Sequence, residues 1–129
     1  MSLTKFPNGI EGFVVPEGAE VKTGNFTVTV NTDSGKTYYI TASASVTLPA
    51  LTIGNTFTFV NAAEDGKAQI QLVVASGDGI SWIGSATDNK DLINTLATAK
   101  KGDYVTIAAL DQTVAWQVTA AQGTWAKEA

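Results

Sequence analysis

Four runs between Thr37 and Ile80 place apolar side chains at every second position: Tyr38 and Ile40, Val46 and Leu48, Phe57 and Phe59, then Ile70, Leu72 and Val74. Thr, Ser, Asn or Gln fills most of the sites between them. A period of two puts each apolar set on one face of a sheet, which a helix cannot do. The gaps hold Ala42-Ser43-Ala44, Pro49 to Gly54, Asn61 to Gly66 and Ser76-Gly77-Asp78-Gly79, and their Gly, Asn and Asp supply what tight reversals need. Strands following one another across such short gaps predict an antiparallel all-β core, a sandwich or a barrel-like domain.

The flanks extend that pattern. Phe26, Val28 and Val30 alternate with Thr27 and Thr29, and Asn31 to Gly35 is a five-residue loop that predicts a hairpin with Lys36 to Ile40. Near the other end, Val105 and Ile107 point inward on one strand. Val114 to Thr119 is expected to pair with it across Leu110 to Thr113, with Trp116 and Val118 on one face. Between them, Thr87 or Asp88 could cap a short helix carrying Leu92, Ile93 and Leu96, with Lys100 to Gly102 as its end. An irregular strand reads equally well there. The frequent Thr suits the half-exposed face of a sheet; the Thr rows follow no regular internal repeat and are not read as a ligand array.

Residues 1 to about 20 differ, and the single all-β domain is placed at 21–129. Pro7 and Pro16 fall in this leader with Gly9, Gly12 and Gly18, and Phe6, Ile10, Phe13, Val14 and Val15 keep neither strand nor helix period. Such a segment is extended. Either it packs loosely as a leader, or it is an apolar, Pro-stiffened arm that docks on a neighbouring molecule through Phe6, Pro7, Ile10, Phe13, Val14, Val15 and Pro16.

Composition excludes several functions. The 129 residues contain no Cys and no His, so disulfides and the usual zinc, copper and haem ligand sets are missing. No cofactor is expected. All eight basic residues are Lys against twelve Asp and Glu, a net charge of −4, which suits neither nucleic acid nor an anionic membrane. The first residues carry no signal-peptide run, and no stretch approaches the roughly 20 apolar residues of a membrane span. The expectation is a soluble protein made and used outside the secretion pathway.

Catalytic chemistry finds little to stand on, and the chain reads as no enzyme. Without His or Cys, acyl transfer would rest on a Ser-Lys pair, and no Ser-x-x-Lys occurs. Asp88 with Asp91, or Asp78 with Asp111, could form a carboxylate pair, although Asp in turns needs no further cause. Asp88 to Asp91 has a Lys where a calcium ligand should be. Ser76 to Gly79 is a turn, since no helix with a Lys follows to cradle phosphate. Trp82, Trp116 and Trp125 could form an exposed sugar-stacking platform, but Trp116 is in phase with Val118 and Trp82 with Ile80, as core residues would be.

Taken together, Tyr39-Ile40-Thr41, Val46-Thr47-Leu48-Pro49, Gly54 to Asn61, Ile70-Gln71-Leu72, Gly77 to Ile80, Lys101 to Ile107 and Trp116-Gln117-Val118 resemble the β-structured domains of tailed-bacteriophage virion proteins. The resemblance covers about residues 37 to 126. It implies a head decoration protein, head fibre, or tail-fibre or spike domain, commonly trimeric, with no catalytic residues. Leu3 to Ile10 resembles the start of small phage structural proteins, which implies a chain that is complete. A capsid decoration (cement) protein is therefore expected. Made in the host bacterial cytoplasm, it would stand on the capsid surface of the virion as a homotrimer and bind the major capsid protein through its N-terminal arm. The alternative is a tail-fibre or spike tip domain that binds host-surface carbohydrate. Uncharged strands such as Phe57 to Val60 and Gln69 to Val74 are expected to be covered by pairing between copies.

Overall fold

The computed structural model describes residues 18–81, 90–110 and 115–128. Two sheets pack face to face as a β-sandwich, built from β1 (Ala19–Lys22), β2 (Phe26–Thr27), β3 (Thr37–Ile40), β4 (Ala44–Thr47), β5 (Thr56–Asn61), β6 (Ile70–Val73), β7 (Gly79–Ser81), β8 (Leu92–Asn94), β9 (Tyr104–Ala108), β10 (Ala115–Gln122) and β11 (Ala126–Lys127). Sheet A runs in the order β1-β3-β5-β9-β10-β7 and sheet B in the order β11-β8-β6-β4-β2. The all-β expectation holds. Residues 1–17, and with them all seven arm residues named above, lie outside the described residues.

Alternation along the runs sorts the faces correctly. Ile40, Val46, Phe57, Phe59, Ile70, Leu72, Val105 and Ile107 are fully buried in one core shared by both sheets. Rings fill its middle: Phe57 lies 5.6 Å from Trp116, and Tyr38 stacks on Phe59 at 5.6 Å. Each large side chain withdrawn from water contributes about 1.5–3 kcal/mol, so this interior is what holds the two sheets together.

Strand pairing departs from the antiparallel expectation. Successive strands from β1 to β6 alternate between the sheets, and neighbours within a sheet are parallel: β1 with β3 with β5, and β2 with β4 with β6. The chain is thus wound as a flat coil of roughly 20 residues per turn, each turn laying one strand in each sheet. Asn31 to Gly35 accordingly carries the chain from sheet B to sheet A and does not close a hairpin. Antiparallel strands finish the fold, with β9 between β5 and β10, and β8 between β6 and β11. Strands β9 and β10 pair antiparallel as expected, but in a register that runs from Ala108 with Gln117 to Tyr104 with Gln122, three residues further along β10 than Val114 to Thr119 implied, with a bulge between Val118 and Ala120. Residues 92–94 form a strand and Leu96–Thr98 a single 3-10 turn, so the short helix does not form in this stretch.

The uncharged strands have a different explanation from the one expected. Strand β5 is flanked by β3 and β9, and β6 by β4 and β8, so their edges are covered within the chain. No second copy is needed for them.

Candidate interaction surfaces

Where the sandwich could be open at its sides, charge closes it. On the edge strand β1, Glu20 and Lys22 stand opposite Tyr38 and Ile40, on the core side of the sheet. Glu20 binds Lys22 at 3.0 Å and Lys36 at 2.6 Å, and Lys36 also binds Asp33 at 3.0 Å. The Lys22 ammonium lies 5.0 Å from the centre of the Phe26 ring, covering the last aromatic of the core. Inward-pointing charge on an edge strand blocks further strand addition. On the opposite side, Lys127 of β11 donates to the Ile80 carbonyl of β7, bridging one sheet edge to the other. Burial lowers the Lys127 pKa, against the pull of Asp91 and Glu128.

The charged cluster is expected to make the fold sensitive to acid. Hydrogen bonds from Lys36 and Lys22 hold the Glu20 carboxyl below its ordinary 4.5. For Asp33, burial pushes upward, but the Thr29 N–H and the Lys36 ammonium outweigh it and the net shift is below 3.8. Lys36 is raised, first by Glu20 and then by Asp33, and burial, then the Asp33 charge, pushes Tyr38 up to about 12. A carboxylate with a depressed folded-state pKa stabilises above its unfolded value, and that stabilisation disappears as pH falls through the folded value. The urea midpoint is therefore expected to be flat from neutrality down to the ordinary carboxylate range and to fall below it. A Glu20→Gln/Asp33→Asn protein should show a shallower fall below about pH 4; an unchanged slope would rule the cluster out as its cause.

The outer face of sheet A is of the opposite character. Register places Val21, Tyr39, Val60, Tyr104 and Gln122 in one row across five strands, and Ala19, Thr37, Thr58, Thr106 and Ala120 in the next. None of these side chains is charged. Val21 and Tyr39, side by side, are 46% and 39% exposed; the Thr58 and Thr106 hydroxyls bond each other at 2.9 Å. Here the half-exposed Thr sites take the place expected of them.

Sheet B carries a groove of about 280 Å³ on its outer side, bordered by Asn25, Ser43, Ser45, Gln69, Gln71 and Leu96. Asn25 Oδ1 accepts from the Ser45 N–H at 2.8 Å, and Ser43 Oγ from the Gln69 N–H at 2.9 Å. Gln69 Oε1 accepts from the Leu96 N–H at 3.0 Å, and Gln71 Nε2 donates to Asp91 at 2.6 Å.

The sequence-named carboxylates and tryptophans occupy other places. Asp91, 7% exposed, accepts from Gln71 and from the Val74 N–H, and Asp78 accepts from the Leu51 N–H. Both serve backbone and side-chain donors; Asp88 and Asp111 lie outside the described residues. Among the described residues no three acidic side chains gather where a metal could sit. Trp116 is fully buried and Trp125 is 7% exposed, so neither offers a ring face for stacking. Trp82 lies outside the described residues.

Beneath the surface, Asn61, Asn94 and Asp103 form a buried polar network that periodicity did not reveal. Asn61 Nδ2 donates to Asn94 Oδ1 at 2.8 Å and to the Ala68 carbonyl. Asn94 Nδ2 donates to Asp103 Oδ2 and to the Thr124 carbonyl, each at 3.1 Å, and the Lys100 N–H also donates to Asp103. Gly123, at φ +98°, passes so close that a Cβ there would fall on the Asp103 carboxylate.

No protein-family model matches the chain, and no curated protein matches it.

Proposed function

We propose that this chain is a non-enzymatic structural protein of a tailed-phage particle. In this reading it is a capsid decoration protein that forms a homotrimer through the outer face of sheet A and grips the major capsid protein through residues 1–20. The observation that carries the reading is the uncharged face lying between two sides closed by charge. Copies with a net charge of −4 repel one another, and a broad neutral face lets them approach closely without desolvating ions. The motif resemblance supplies the phage setting, and Phe6, Pro7, Ile10, Phe13, Val14, Val15 and Pro16 supply an apolar grip for a shell. The tail-fibre tip reading draws less support, because two of its three stacking rings, Trp116 and Trp125, are core residues.

Two measurements test this proposal. Sedimentation at micromolar concentration should return a trimer, and Thr58→Lys, which places a cation in the middle of the neutral face, should return a monomer whose melting temperature is nearly unchanged. A wild-type monomer would overturn self-association. Deleting residues 2–17 should leave the trimer and its melting temperature intact yet abolish binding to purified phage heads, with Phe6→Ala/Phe13→Ala weakening it, since aromatic anchors dominate such contacts. A truncated protein that decorates heads as well as the full chain would overturn the role of the arm.

A further inference from the structure

We infer that the groove on the outer side of sheet B is a binding site for a neutral sugar ring. Five side chains around it are polar, Asn25, Ser43, Ser45, Gln69 and Gln71, and Leu96 stands at one end, 42% exposed. Among the described residues none that borders it is charged, so a phosphate, a carboxylate or an ammonium would lose its hydration with nothing to replace it. An apolar ligand would strand the amides in the same way. What fits is an uncharged molecule dense in hydroxyls.

The side chains are held in place before any ligand arrives. Asn25 and Gln69 each spend their carbonyl oxygen on a backbone N–H, and Ser43 accepts from a third, so the network orients the Asn25 and Gln69 amide groups and the Ser43 O–H as donors toward the groove. Gln71 spends its amide nitrogen on Asp91, which leaves its Oε1 as acceptor. Donors and acceptor in fixed positions are how small-molecule sites select hydroxyls. Ser45 and Gln71 are direct neighbours across β4 and β6, about 4.8 Å apart in the sheet, the width of a six-membered ring. Both strands lie inside sheet B with their backbones paired, so recognition falls to side chains and the site does not invite an added strand. The volume of about 280 Å³ is that of roughly nine waters, enough for one pyranose with Leu96 against its C–H face. This site is independent of the capsid reading: it sits on the opposite sheet from the face proposed to hold the trimer together.

The test is a nuclear magnetic resonance titration of the full chain with glucose, galactose, mannose and N-acetylglucosamine, with glucose 6-phosphate as the charged control. The expected result is saturable movement of the Asn25, Gln69 and Gln71 side-chain amide signals by at least one neutral sugar, with a Kd on the order of millimolar for so small a ligand. Glucose 6-phosphate should bind at least about tenfold more weakly. Ser45→Arg, at an exposed site whose hydroxyl bonds no other group among the described residues, should abolish the movement while the rest of the spectrum stays put. Contacts from sugar protons to the Leu96 methyls in the wild type provide the same information without a variant. No movement with any of the neutral sugars, movement that persists in Ser45→Arg, or equal binding of the phosphate would each overturn the assignment.

Discussion

An Asn94→Leu protein is expected to unfold about 3–5 kcal/mol more easily than the wild type in urea, at unchanged dependence on denaturant. Asn94 is fully buried and sits where three segments meet: β5 through Asn61, the start of β9 through Asp103, and the β10–β11 link through the Thr124 carbonyl. Leucine fills the space but leaves the Asn61 amide short of an acceptor and takes a donor from a carboxylate that is 3% exposed. Each orphaned neutral group costs roughly 1–3 kcal/mol, and a buried charge stripped of a partner costs more. A loss below about 1 kcal/mol would mean that water enters and replaces the amide, and the network would then hold little of the fold together.

Trp116→Ala should cost a similar amount, about 3–5 kcal/mol, for a different reason. Trp116 is the largest fully buried side chain among the described residues, and its removal leaves a cavity beside Phe57 that the two sheets can only partly close. Trp116→Phe should be far milder, within about 1 kcal/mol of wild type. The indole Nε1–H has no acceptor among the described residues, so phenylalanine gives up volume but also removes a buried, unpaired donor. Thermal and urea melts of the two variants check both halves. Comparable losses would show that the Nε1–H finds a partner and that Trp116 is held by more than packing.

Which residues are inside was legible from alternation alone, because a period of two assigns faces without any knowledge of neighbours. Tyr38, Ile40, Val46, Leu48, Phe57, Phe59, Ile70 and Leu72 are all buried. Which strand lies beside which was not legible. A Gly- and Asn-bearing gap such as Asn31 to Gly35 serves a crossing between sheets as well as a hairpin, since both reverse the chain. Thus the hairpin at Tyr104 to Thr119 was legible, whereas the parallel neighbours of β3 and β4 were not. At residues 92–96, Leu92 and Leu96 fit a helical face in isolation, but pairing with β6 and β11 holds the segment in sheet B and the bonds from Asn94 to Asn61 and Asp103 tie it across to sheet A, and tertiary context overrides a weak local preference. The polar groove was hidden for a related reason. Ser45 and Gln71 look like ordinary solvated strand positions until strand order makes them neighbours.

The coiled order of the strands also governs what the ribosome exposes. As the chain emerges, β1 to β6 can stack turn upon turn, each strand finding a partner already made. Strand β5 then waits, its second edge filled only by β9, and β7 has no place in sheet A until β10 arrives. At usual synthesis rates the interval between Asn61 and Tyr104 lasts roughly 2 to 9 s. Through that interval the edge on offer is Thr56 to Asn61, a six-residue run of high β-propensity with no charge and no proline. Such a run is the kind that pairs with its counterpart on another nascent chain. The moment of greatest aggregation hazard for this protein therefore falls during translation, after three turns of the coil are laid down and before β9 arrives.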